Sequence, residues 1–184
     1  MIIVEGPDGA GKSTLIRMLA EHHDFQIMDR ACTSDDGIDP TTLSLRDWVD
    51  KDLSLSNWHP GVYDRYPLYS EPIYGLITRR RLATGFDDME WLRRSMLMLR
   101  QKQPMVIFCF PPKEVVRHNI QANHTMTTDH MRQVNDNATQ LWQAYSVRIA
   151  QELTVGGTTR IWDYTAQNKD RVLVELVETM EAFI

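Results

Sequence analysis

The sequence predicts an α/β fold in which a parallel sheet is covered by helices on both faces. Three observations carry that prediction. Short apolar runs alternate with longer segments whose apolar residues recur at helical spacing, along the whole chain. A glycine-rich loop stands between the first such run and the first such segment. Residues 105–110, Met-Val-Ile-Phe-Cys-Phe, are six consecutive apolar residues, the pattern of a strand buried on both faces of a parallel sheet. Crossovers between parallel strands are then expected to be right-handed. The 184 residues are expected to form one domain, 1–184.

Taken in order, Ile2, Ile3 and Val4 form the first strand. Gly6, Pro7, Asp8, Gly9, Ala10, Gly11, Lys12 and Ser13 follow, and fit the P-loop pattern G-x-x-x-x-G-K-[ST] at every fixed position. Residues 15–20 then run on as an apolar helix. Glycines let backbone N–H groups turn inward around phosphate oxygens. The helix points its positive end at the same place. Lys12 can reach the β- and γ-phosphates, and the Ser13 hydroxyl can ligate Mg²⁺. A nucleoside triphosphate, ATP, with Mg²⁺ is the expected ligand.

Residues 25–28 read as a second strand and 30–40 as a polar loop. Leu45, Trp48, Val49 and Leu53 form a helical stripe within 41–55. Val62 and Tyr63 lead a third strand into Asp64-Arg65-Tyr66, stopped by Pro67. Residues 69–84 read as helical in part, ending near Gly85. Residues 87–102 read as a helix, with Asp87 and Asp88 at its start and Arg100 and Lys102 at its end. After the apolar strand, Pro111 and Pro112 can start a helix through Ile120. Residues 121–128 are polar and read as part of a mobile lid, 119–131. One long helix is expected to follow as far as about Leu153. A last strand over 159–162 and a closing helix over 168–184 complete the chain.

The net charge of −5 gives no global attraction to nucleic acid. No run is long enough to span a bilayer, so no membrane association is expected. No leader peptide is read at the start. Cys32 and Cys109 lack metal-type spacing and read as reduced thiols of a cytoplasmic protein. His118, His124 and His130 recur every six residues, which turns successive members to different faces of a helix and does not suit a shared metal.

Asp64-Arg65-Tyr66 forms a second constellation. In a parallel sheet the carboxyl ends of the strands gather on one edge. The P-loop leaves its strand on that edge, so Asp64 and Arg65 are expected beside Lys12 and Ser13. A carboxylate there can hold Mg²⁺ or take an acceptor's proton, and a guanidinium can grip a phosphate bidentately.

On these segments the chain resembles the thymidylate kinase family of P-loop nucleoside and nucleotide kinases. Glu5-Gly6-Pro7-Asp8-Gly9-Ala10-Gly11-Lys12-Ser13-Thr14 is close to that family's E-G-x-D-G-A-G-K-[ST]-T. Asp64-Arg65-Tyr66 matches its D-R-[YHF]. Ser70 and Tyr74 fall near its S-x-x-A-Y-Q, and residues 112–117 resemble its P-x-x-x-x-R. The resemblance implies a three-layer fold with strand order 2-3-1-4-5 and a mobile lid. It also implies that Asp8 contacts the acceptor sugar, that Arg65 holds an acceptor phosphate, and that Asp64 assists the metal or the transfer. Arg117, Ala166 and Gln167 would lie near the donor adenine. Tyr66, Tyr69 and Tyr74 would be available to the acceptor. A homodimer is common in the family.

The acceptor half departs from the family. Its R-x-P-G-G-T segment has no counterpart in 30–37, and Gly75 stands where the Gln of A-Y-Q is found. Two acceptors therefore stay open. One is a free thymidine-like deoxynucleotide, the main expectation. The other is a nucleotide within DNA, as in bacteriophage relatives that phosphorylate 5-hydroxymethyluridine. For that second acceptor, Arg79, Arg80, Arg81, Arg93 and Arg94 could line a strand path, with Trp58 among the stacking side chains. A non-catalytic nucleotide-binding switch is disfavoured, because G-protein-like switches need a guanine-reading segment such as N-K-x-D, and Asn168-Lys169-Asp170 does not match its spacing.

Overall fold

A computed structural model describes residues 1–22, 26–28, 44–55, 61–78, 86–122 and 129–181. The expectations on 30–37, Trp58, Arg79, Arg80, Arg81, His124 and Cys32, and those on the lid core 123–128, lie outside the described residues. The elements run β1 (Ile2–Glu5), α1 (Lys12–His22), β2 (Gln26–Met28), α2 (Leu45–Ser54), β3 (Gly61–Asp64), α3 (Pro67–Ile77) and α4 (Met89–Gln101). They continue as β4 (Met105–Cys109), α5 (Lys113–Ala122), α6 (Asp129–Asp136), α7 (Ala138–Val155), β5 (Thr158–Trp162) and α8 (Lys169–Glu181).

The described strands make one parallel sheet in the order β2-β3-β1-β4-β5. Val4 pairs with Asp64 on one side and with Ile107 on the other. β4 is wholly apolar, β1 is apolar up to its last residue, Glu5, and every residue of both strands is buried. Helices pack around the sheet: α1 against β1, β2 and β3, α8 against β5, and α3 and α5 against α7. Leu15, Leu19, Phe108, Leu141 and Tyr145 are among the core residues that join these layers.

Local chemistry sets several boundaries. Ser44 caps α2 by accepting from the Asp47 N–H, and Asp88 caps α4 by accepting from the Glu90 and Trp91 N–H groups. Pro67 does more than stop β3. It occupies the start of α3, where its missing N–H costs nothing. The expected long helix is two: Asn137 separates α6 from α7, and its side-chain amide donates to the Gln133 carbonyl at 2.8 Å. Local side chain-to-backbone bonding of this kind competes with a continuous helix.

Candidate active site

The sheet edge at the carboxyl ends of β1 and β3 carries the P-loop and the Asp64-Arg65 pair together. Two loop glycines have a physical reason to be glycine. Gly6 has φ +141°, and a Cβ there would lie 2.3 Å from the Cys109 carbonyl oxygen. Gly11 has φ +87°, and its Cβ would meet the Tyr164 ring at 3.0 Å. The loop can therefore lie flat against β4 and against the turn after β5. Its chain then enters α1 at Lys12, whose first-turn N–H groups have no intrahelical acceptor.

Lys12 is 8 % exposed. Its ammonium donates to the Pro7 carbonyl at 2.8 Å and lies 4.0 Å from Asp8. Burial, with the Arg65 charge nearby, lowers its pKa to about 8, against the pull of Asp8 and Asp64. Ser13 and Thr14 are exposed at the mouth of the loop.

Arg65 adopts a left-handed backbone, φ 69°, and its N–H donates to the Val4 carbonyl at 3.0 Å. That turn drives the side chain inward, where it is 5 % exposed. Nη1 donates to the Gly6 carbonyl at 2.9 Å and to the Tyr145 hydroxyl at 2.8 Å. Nη2 donates to the Asp8 carboxylate and, at 2.9 Å, to the Tyr74 hydroxyl. The Tyr74 ring also lies 4.7 Å from the guanidinium carbon, a cation–π arrangement. Burial opposes the charge of Arg65, but Tyr74, Asp8, Tyr145 and Glu5 hold its pKa well above the ordinary value.

Behind this pair, Tyr145 donates to Glu5 at 3.1 Å, and the other Glu5 oxygen accepts the Tyr66 N–H at 2.6 Å. Burial raises the Glu5 pKa, opposed chiefly by Arg65 and the Tyr66 N–H. The Cys109 thiol is pushed up to about 12 by burial, so it stays a neutral packing group.

A cavity of about 790 Å³ opens over this edge. Lys12, Ser13, Thr14, Asp64 and Arg65 line one part of it; Asn119, Trp162, Tyr164, Lys169 and Leu173 line another. One buried oxygen of Asp64 has no hydrogen-bond partner among the described residues. An orphaned carboxylate oxygen beside the Ser13 hydroxyl suits a hard cation bound chiefly through substrate phosphates.

The fold is that of the P-loop kinases. Solved structures of this architecture superpose over nearly the whole chain. YorR protein from Bacillus subtilis, in complex with phosphorylated GDP, is 17 % identical with a TM-score of 0.60, covering 98 % of this chain and 95 % of its own. Deoxyadenosine kinase from M. mycoides with bound dATP is 13 % identical with a TM-score of 0.57, covering 98 % of both chains. No protein-family model and no curated protein sequence matches the chain. No described helix is long and apolar enough to cross a membrane.

The P-loop kinase fold brings Asp8, Lys12, Ser13, Thr14, Asp64 and Arg65 to one cavity; Tyr74, expected at the acceptor, is buried outside the lining, bonded to Asp8 and Arg65. Two expected acceptor residues are corrected. Tyr66 and Tyr69 are 0 % and 2 % exposed. Tyr66 donates to Asp52 at 2.7 Å, and Tyr69 reaches Glu152 at 3.4 Å. Their rings fill the core beneath α2 and α7, so they are not surfaces for a base. Arg117 is exposed on α5 and lies outside the cavity lining, as do Ala166 and Gln167 in the turn before α8. Arg93 and Arg94 are exposed on α4.

Asn119, Tyr164 and Tyr145 carried no sequence motif. Asn119 donates to the Gly9 carbonyl at 2.8 Å and to the Tyr164 hydroxyl at 2.6 Å, tying the loop to the far wall. Tyr145 links Arg65 to Glu5 from α7. The only available signal for Asn119 was its place two residues beyond Arg117 on the same helix.

Proposed function

We propose that this chain is a P-loop phosphotransferase that moves the γ-phosphoryl group of ATP to a thymidine-like deoxynucleoside or deoxynucleotide. The observation that carries the reading is the convergence of the glycine cradle, Lys12, Asp64 and Arg65 on one cavity of about 790 Å³, a size suited to a nucleotide. Gly9, Gly11, Lys12, Ser13 and Thr14 hold the donor phosphates. Ser13 and Asp64 hold Mg²⁺, which supplies charge neutralisation on the phosphate oxygens. Asp8 faces the acceptor and Arg65 fixes the orientation of Asp8. Phosphoryl transfer is mostly positioning and electrostatics, and this edge supplies both.

The names of the superposed structures support a nucleoside or nucleotide acceptor. A second reading, transfer to a hydroxymethylated base within DNA, is favoured by the absence of the R-x-P-G-G-T segment and by exposed Arg93 and Arg94. The work belongs to the cytoplasm, where ATP and deoxynucleotides are found, and a homodimer is the expected assembly.

The test is transfer of labelled γ-phosphate from ATP, with and without Mg²⁺, to a pool of deoxynucleosides, deoxynucleotides and DNA. Lys12→Ala is expected to lower turnover by about 10²–10³-fold while leaving the circular dichroism spectrum unchanged. Turnover by Lys12→Ala equal to the parent would sink the reading.

A further inference from the structure

The substrate class of this site can be read from how Arg65 is spent. A guanidinium offers five N–H donors, four on its two terminal nitrogens and one on Nε. All four terminal donors are engaged: by Gly6 and Tyr145 at Nη1, and by Asp8 and Tyr74 at Nη2. Nε is buried without a partner among the described residues. The fork that would grip an acceptor phosphate is turned inward onto its own scaffold.

Charge points the same way. Among the described residues lining the cavity, the cations are Lys12, Arg65 and Lys169, and the carboxylates are Asp8, Asp64 and Asp170. Lys12 belongs to the donor phosphates, and Lys169 stands on α8 with Asp170 beside it. Lys12 acts on Asp64 from the donor side, and on the acceptor side Arg65 is already bonded to Asp8. A phosphate dianion placed against Asp8 and Asp64 would face two carboxylates, with the terminal donors of Arg65 already engaged. A neutral alcohol meets a different environment. Its O–H can donate to the carboxylate of Asp8, which lines the cavity on the acceptor side while Asp64 serves the metal; a phosphate dianion cannot donate.

We propose that the acceptor group is a neutral primary hydroxyl and not a phosphate. This rests on the phosphotransferase reading above and narrows it. The hydroxyl oxygen forms a bond to the γ-phosphorus as the bond from that phosphorus to the β,γ-bridging oxygen breaks. The hydroxyl proton passes to the Asp8 carboxylate, and a nucleoside diphosphate leaves. The product is a phosphate monoester. The same hydroxyl chemistry can come from the sugar of a free deoxynucleoside or from a hydroxymethyl group on a base in DNA.

The test uses the unaltered chain with ATP and Mg²⁺, offered deoxynucleosides, their 5′-monophosphates, and duplex DNA with and without 5-hydroxymethyluridine. Phosphorus NMR of the products separates an ester, which shows no phosphorus–phosphorus coupling, from a diphosphate, which does. The expected product is an ester, with kcat/KM for a hydroxyl acceptor exceeding that for any 5′-monophosphate by about 10²-fold or more. An ester on the free nucleoside or on the modified DNA supports the proposal and identifies the source. A coupled diphosphate as the preferred product overturns this proposal and leaves the phosphotransferase reading standing. Turnover of no acceptor overturns both.

Discussion

Lys12 is the residue whose surroundings make the sharpest solution prediction. Its pKa of about 8 in the folded chain lies below the ordinary lysine value of about 10.4. Between those values the unfolded chain keeps a proton that the folded chain has lost, so the Lys12 contribution to stability rises with pH across that window. A triphosphate favours the ammonium form and recaptures the proton. ATP affinity is therefore expected to fall as pH rises through about 8, with proton uptake on binding seen by calorimetry in buffers of different ionisation enthalpy. Lys12→Arg should flatten that dependence; an unchanged slope would show that another group titrates. At this scale the P-loop and the Asp64-Arg65 pair were legible because their residue types and spacing carry the chemistry. Tyr66 and Tyr69 were misread because aromatic residues next to a motif look the same whether they stack on a ligand or fill a core. Arg117 and Asn119 differ by two positions, which on a helix turns them to different faces. A motif that names one cannot show that the other faces the loop.

At the scale of elements, the alternation of strand and helix was readable from periodicity, and the strand order came with the resemblance. The break at Asn137 was not readable, because apolar spacing continues through it and the boundary is marked by the Asn137 backbone, φ −107° and ψ 12°, and its side-chain bond to Gln133. The junction of β1 with the P-loop is the least tolerant element. Gly6→Ala would place a Cβ 2.3 Å from the Cys109 backbone oxygen at φ +141°, where neither backbone yields cheaply. The expected loss is about 2–3 kcal/mol of unfolding free energy, measured as a lowered urea midpoint with an unchanged slope. A loss below about 0.5 kcal/mol would mean that β4 shifts freely and that the close approach is not structural.

Across the whole molecule, the site depends on helices that never touch the cavity. Glu152 on α7, with 6 % side-chain exposure, lies 3.0 Å from Arg100 of α4 and 3.2 Å from Arg148. It also accepts from Tyr69 of α3 at 3.4 Å. This cluster clamps three helices, and α7 in turn presents Tyr145 to Arg65. Glu152→Ala leaves two partly buried guanidinium groups facing each other. It is expected to cost about 2 kcal/mol in urea unfolding, while KM for ATP stays within about twofold of the parent because no contact to the loop changes. A KM shift of about tenfold would instead show that α7 transmits strain into the site.

The strand order also has a consequence for how the protein is made. β1 is synthesised before its neighbours in the sheet, β3 and β4, and the last wall of the cavity arrives with β5, Tyr164 and the first turns of α8. Gly6 rests on Cys109, Gly9 is tied down by Asn119, and Gly11 lies under Tyr164. A nascent chain leaving the ribosome therefore carries an unformed cradle until Tyr164 and the start of α8 have emerged. The P-loop waits exposed to chaperones until then, and the ligand can assist folding only once those residues are in place.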